Sequence, residues 1–128
     1  MSKIRILIVD DHAIIRTGLA ALLGSIPDFE IVGEASNGSI AVSKAIKLNP
    51  DVIVMDLVMP KMGGVEATTE ILSKLPDTRI LILTSFGTSE ELSRVFSAGA
   101  TGAILKNTAN SALVSSIRRI AKGNRVVS

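Results

Sequence analysis

A chain of 128 residues that is 47% hydrophobic, with three Phe and no Tyr or Trp, has the size of one compact domain with an aliphatic core. Its lack of cysteine excludes disulfides, thiolate metal centres and a cysteine nucleophile; no apolar run approaches the roughly 20 residues of a membrane span, so a soluble, cytoplasmic protein without a membrane partner is expected. Fourteen basic against twelve acidic residues leave a charge of +2, too small to argue for nucleic-acid binding by this domain, although every acid lies at or before Glu91 and the last third is basic.

In chain order, Ile4 to Val9 is a short β-branched run that stops at Asp10-Asp11, as expected of a strand buried on both faces. Ile15, Leu19, Leu22 and Leu23 then follow helical spacing within Ala13 to Gly24, and Gly24 with Pro27 supplies the stop. Glu30 to Ala35 reads as a second strand, Ser39 to Leu48 as a helix punctuated by Asn49-Pro50, and Asp51 to Met55 as a third strand ending at Asp56. A helix over Val65 to Leu75, a strand over Arg79 to Leu83 and a helix over Ser89 to Ala98 continue the alternation. Ala100 to Leu105 and Ala109 to Lys122 complete it. Strands separated by helical segments predict a (βα)5 chain: a doubly wound α/β fold with a parallel five-stranded sheet and right-handed crossovers.

Ligands of open α/β sheets bind at the carboxyl ends of the strands. Here those ends carry Asp10 and Asp11, then Asp56, then Thr84 with Ser85, then Lys106. Carboxylates gathered by a rigid sheet repel one another, and a hard divalent cation relieves this; Mg2+ fits best, because it accepts one or two carboxylates and keeps several waters. A carboxylate in such a place can act as a nucleophile and form an acyl phosphate, and Asp56 is the candidate. A metal on one side and Lys106 on the other would neutralise the phosphoryl oxygens, with the Thr84 hydroxyl donating a further hydrogen bond. His12, the only histidine, has no second soft ligand in the sequence and reads as a structural residue.

Together, Ile6 to His12 (ILIVDDH), Asp51 to Gly64 (DVIVMDLVMPKMGG), Leu83-Thr84 and Leu105-Lys106 resemble bacterial response-regulator receiver domains over essentially the whole chain. The resemblance implies a flavodoxin-like sheet of order 2-1-3-4-5 and Asp56 as phosphoacceptor. It also implies Mg2+ on Asp11, Asp56 and the main-chain carbonyl of Val58, with Asp10 acting through water. Thr84 and Lys106 would contact the phosphoryl oxygens, and a phosphohistidine on a sensor histidine kinase would be the donor. The opening Asp-Asp-His, Ala98-Gly99-Ala100 and the tail from Ile120 look most like regulators with a LuxR or NarL type helix-turn-helix output. That implies a receiver over 1–122, the start of a linker over 123–128, homodimerisation on phosphorylation, and DNA contact only through a further C-terminal domain.

This sequence departs from the family pattern at three places. Ala103 stands where family members carry a switching aromatic, Asn107 stands where many have the proline that eases a cis bond after the lysine, and Val58 and Phe86 occupy positions that tune acyl-phosphate lifetime. Both Val58 and Phe86 are apolar, so neither can hold an attacking water. Rival readings fit less well. A haloacid-dehalogenase-like phosphatase would place an acid at Val58, a flavin binder would lack Asp10-Asp11 in its phosphate loop, and a pseudo-receiver would lack the Asp, Thr and Lys set.

Overall fold

The computed structural model describes residues 3–85 and 88–123, and the backbone of 126–127. Its elements are β1 (Ile4–Val9), α1 (Ala13–Gly24), β2 (Phe29–Ala35), α2 (Gly38–Leu48), β3 (Val52–Asp56) and α3 (Gly64–Lys74), followed by β4 (Arg79–Thr84), α4 (Ser89–Ser97), β5 (Gly102–Leu105), α5 (Asn110–Ala121) and β6 (Val126–Val127). The order across the sheet is β2-β1-β3-β4-β5-β6, and every pairing is parallel. The expected five-stranded order is therefore present, with one short strand added at the β5 edge. Among the described residues no helix is long and apolar enough to cross a membrane.

Alternation along the strands divides the core in two. Leu7, Val9, Ile53, Met55, Ile80 and Ile82 face α2, α3 and α4, where Ala41, Ala45, Ala67, Ile71 and Val95 meet them. Ile6, Ile8, Val52, Val54, Leu81 and Leu83 point the other way, onto Leu23 of α1 and Leu113, Ile117 and Ile120 of α5. Because β1, β3 and β4 are covered on both faces, they read in sequence as unbroken apolar runs.

Two boundaries move for local reasons. Ala100 and Thr101 precede β5 rather than starting it. Gly99, at φ +114°, reverses the chain after α4, and Ala100 N–H still bonds back to the Val95 carbonyl at 3.0 Å. Phe29 joins β2 because its ring is buried in the α1/α5 core, under the Arg118 guanidinium at 5.5 Å from the ring centroid. Arg118 also donates to both carboxylate oxygens of Asp28, at 3.0 and 2.8 Å, tying α5 to the loop before β2.

The Asn37 side chain caps α2, its Oδ1 accepting from Ile40 N–H at 2.9 Å in a buried position. Asn37→Ala is expected to cost about 1 kcal/mol in urea denaturation, the usual worth of such a cap.

Candidate functional site

Each strand that ends on the carboxyl edge delivers one functional side chain, because the parallel register holds the ends level. Met55 pairs with Val9 and Asp56 with Leu83, so Asp56 sits between the residues that follow β1 and the end of β4. Thr84 pairs with Leu105, and Lys106 N–H donates to the Thr84 carbonyl at 2.7 Å. Asp10, Asp56 and Thr84 are all buried, at 1%, 6% and 4% exposure.

Lys106 is the electrostatic centre. Its Nζ lies 2.9 Å from Asp10 Oδ2 and 3.2 Å from Asp56 Oδ2, bridging two buried carboxylates that would otherwise repel. Burial pushes the Asp10 carboxyl up, but the His12 backbone N–H at 2.8 Å and the Lys106 ammonium outweigh it, so Asp10 is held below the usual carboxylate range. Asp56 goes the other way. Desolvation dominates, the Asp10 charge adds to it, and neither Lys106 nor the Val58 N–H at 3.5 Å from Oδ1 fully offsets them. Lys106 loses something to burial and gains more from its two carboxylates, ending above its ordinary value.

The raised Asp56 pKa carries a stability consequence. A carboxyl that prefers its proton in the folded state costs stability wherever it is ionised, a penalty present above its folded pKa and gone below the ordinary value of 3.8. Asp56→Asn is therefore expected to raise the melting temperature at neutral pH without divalent cations. The gain should fade as the pH is lowered towards 3.8, as followed by calorimetry.

One ligand atom from each of Asp10, Asp11, His12 and Asp56 can be chosen so that all four lie within 4.8 Å of one another. The carboxylate oxygens of this set suit a hard divalent cation such as Mg2+. Asp11 and His12 lie on the exposed side, so the group is open to solvent and to a phosphodonor. A cleft of about 610 Å3, lined in part by Lys3, Asp51, Thr78 and Arg79, lies at the opposite end of the strands and takes no part in the cluster.

The six residues expected from the sequence thus lie along one edge. Asp10, Asp56 and Lys106 are in direct contact, Asp11 adjoins them, Thr84 is buried at the end of β4, and Val58 lies two residues beyond Asp56. Ala103 is buried beside Ile82, and its backbone is flanked by Val127 of β6. Among the described residues no peptide bond is cis, so the Lys106–Asn107 bond is trans. Phe86 lies outside the described residues.

Two contributors escaped the sequence reading. Arg16 donates to the Asp10 main-chain carbonyl at 2.6 Å while its Nε lies 3.5 Å from Glu34 Oε1, which fixes the end of β1. An arginine on the first turn of a helix carries no signal that separates it from a solvated face. His12 does more than pack: its Nδ1 lies 2.9 Å from Asp10 Oδ1 and 3.2 Å from Asp11 Oδ1.

Comparison with known proteins agrees with this geometry. Residues 6–118 match the response regulator receiver domain family. The transcriptional regulatory protein LiaR of Bacillus subtilis is 47% identical over 120 residues, covering 94% of this chain and 57% of LiaR. The response regulator VraR of Staphylococcus aureus is 42% identical over 123 residues, covering 96% of this chain and 59% of VraR, so the chain spans under two thirds of these curated relatives. The crystal structure of a LuxR-family two-component response regulator from Aurantimonas sp. SI85-9A1 superposes with a TM-score of 0.92 at 38% identity, covering 98% of this chain and 89% of that one. With its strand order, its acids and its lysine at the strand ends, and these relatives, the chain belongs to the response regulator receiver domain family, on the side of the LuxR-type transcriptional regulators.

Proposed function

We propose that this domain takes a phosphoryl group onto Asp56 from a phosphohistidine of a sensor histidine kinase and changes conformation in response. The observation that carries the reading is the Lys106 ammonium held 3.2 Å from Asp56 Oδ2 and 2.9 Å from Asp10 Oδ2 at a solvent-open strand edge. An Asp56 carboxylate oxygen attacks phosphorus as the phosphorus–nitrogen bond of the donor breaks, and the imidazole leaves. Lys106 and the Thr84 hydroxyl contact the phosphoryl oxygens. Mg2+ would be held by Asp11, Asp56 and the main-chain carbonyl of Val58, with Asp10 acting through water; when bound, it neutralises phosphoryl charge.

The domain catalyses its own phosphorylation and dephosphorylation without turning over an external substrate. Its receiver unit spans 1–122, and 123–128 begin the connection to a helix-turn-helix domain through which DNA is bound. The backbone of Val126–Val127 running beside β5 is compatible with that exit. Phosphorylation favours homodimerisation, and the protein works in the cytoplasm as a transcriptional regulator. Incubation with acetyl phosphate and Mg2+ tests the chemistry by intact mass. A gain of one phosphoryl group that EDTA abolishes supports it, whereas no gain with any small-molecule donor or kinase leaves a protein-contact module.

A further inference from the structure

Mg2+ is an oxygen-seeking cation, yet this cluster also presents a nitrogen. His12 Nδ1 lies 2.9 Å from Asp10 Oδ1 and 3.2 Å from Asp11 Oδ1. Neighbouring ligands on a first-row divalent cation, with bonds of about 2.0–2.2 Å, are about 3.0–3.4 Å apart, so these three atoms already form one face of a coordination polyhedron. The oxygens of Asp10 are divided between partners: Oδ2 faces Lys106 at 2.9 Å, while Oδ1 faces His12. The main-chain carbonyl of Asp10 is engaged by Arg16 at 2.6 Å, which keeps the residue in place.

The imidazole can supply its lone pair at little cost. Its side chain is 61% exposed, so the neutral ring can carry its proton on Nε2 and leave Nδ1 to the cation. We propose that His12 Nδ1, with Asp10 Oδ1 and Asp11 Oδ1, forms a mixed nitrogen–oxygen site that selects imidazole-binding divalent cations of the Zn2+ class. This extends the Mg2+ reading above, on which it rests, because the two cations share Asp11 and so exclude each other. A Zn2+-class ion held here competes with the cation that phosphorylation requires.

The test is calorimetric titration of Zn2+ and, separately, Mg2+ into the wild-type protein and His12→Asn, with 15N NMR of the His12 ring. His12 is exposed, so the variant is expected to fold, and circular dichroism checks this. Zn2+ affinity should fall at least about tenfold in the variant, the scale on which even outer-shell partners of a metal act, with Mg2+ affinity nearly unchanged. The Nδ1 resonance should shift with Zn2+ and not with Mg2+. Equal Zn2+ affinity in both proteins, or an unmoved Nδ1 resonance, overturns the His12 site while Mg2+ binding persists. Zn2+ binding through His12 in a protein that takes up no Mg2+ overturns the Mg2+ reading instead.

Discussion

Lys106→Met is expected to cost about 3 kcal/mol of stability at neutral pH and to slow phosphorylation of Asp56 about 100-fold. The stability cost follows from what Lys106 separates. Without its ammonium, Asp10 and Asp56, each almost wholly buried, face each other with no intervening positive charge. The cost lies near the low end for a broken buried pair because the lysine side chain retains 16% exposure. The depressed Asp10 carboxyl contributes stability that is present above 3.8 and lost as the pH falls through its lowered folded value. Removing Lys106 removes part of that contribution, so the unfolding curves of variant and wild type should converge on acidification. Urea denaturation across this range measures the stability effect. The rate effect comes from losing the charge that meets the phosphoryl oxygens, and time-resolved intact mass with acetyl phosphate measures it.

Gly38→Val is expected to cost about 3 kcal/mol, at the upper end of what overpacking does. A Cβ at position 38 would stand 2.3 Å from the Met62 carbonyl oxygen and 2.9 Å from its carbon, both backbone atoms that cannot rotate away. The Gly38 N–H bond to that carbonyl, 3.0 Å long, would break as the chains part. The displaced loop is the one that leaves Asp56: its Gly64 N–H holds the Leu57 carbonyl at 2.8 Å, and its Val58 N–H faces Asp56 Oδ1. Slower phosphorylation should therefore accompany the lost stability. Gly18→Ala on α1 serves as the contrast. Nothing lies within 4 Å of its Cβ position, so this change should stabilise by up to about 1 kcal/mol through helix propensity.

The legible parts of this protein were those whose physics is local and periodic. Unbroken runs such as Ile6 to Val9 and Val52 to Met55 announced strands covered on both sides, and the residue after each run fell on the carboxyl edge. Asp56 and Lys106 could be paired from sequence because a parallel sheet aligns strand ends, although 50 positions separate them. Contacts decided by tertiary placement were not legible. Nothing in the arginine at position 16 points to the Asp10 carbonyl, and nothing in a lone histidine tells which ring nitrogen will face two carboxylates. The short strand β6 was read as linker because two valines after Gly123 form too brief a pattern to identify; only the free edge of β5 gives them a partner. Ala103 was noted as a departure in sequence, but its place beside both Ile82 and the tail strand is a fact of the fold.

The phosphoacceptor assignment is tested most directly by mapping the phosphoryl group. The protein is treated with acetyl phosphate and Mg2+, reduced with borohydride, which converts an aspartyl phosphate to homoserine, and sequenced by tandem mass spectrometry. Homoserine at position 56 alone, with no label in Asp56→Asn, is the expected result. Label at Asp10 or Asp11, or an undiminished yield in the variant, would contradict the assignment of Asp56.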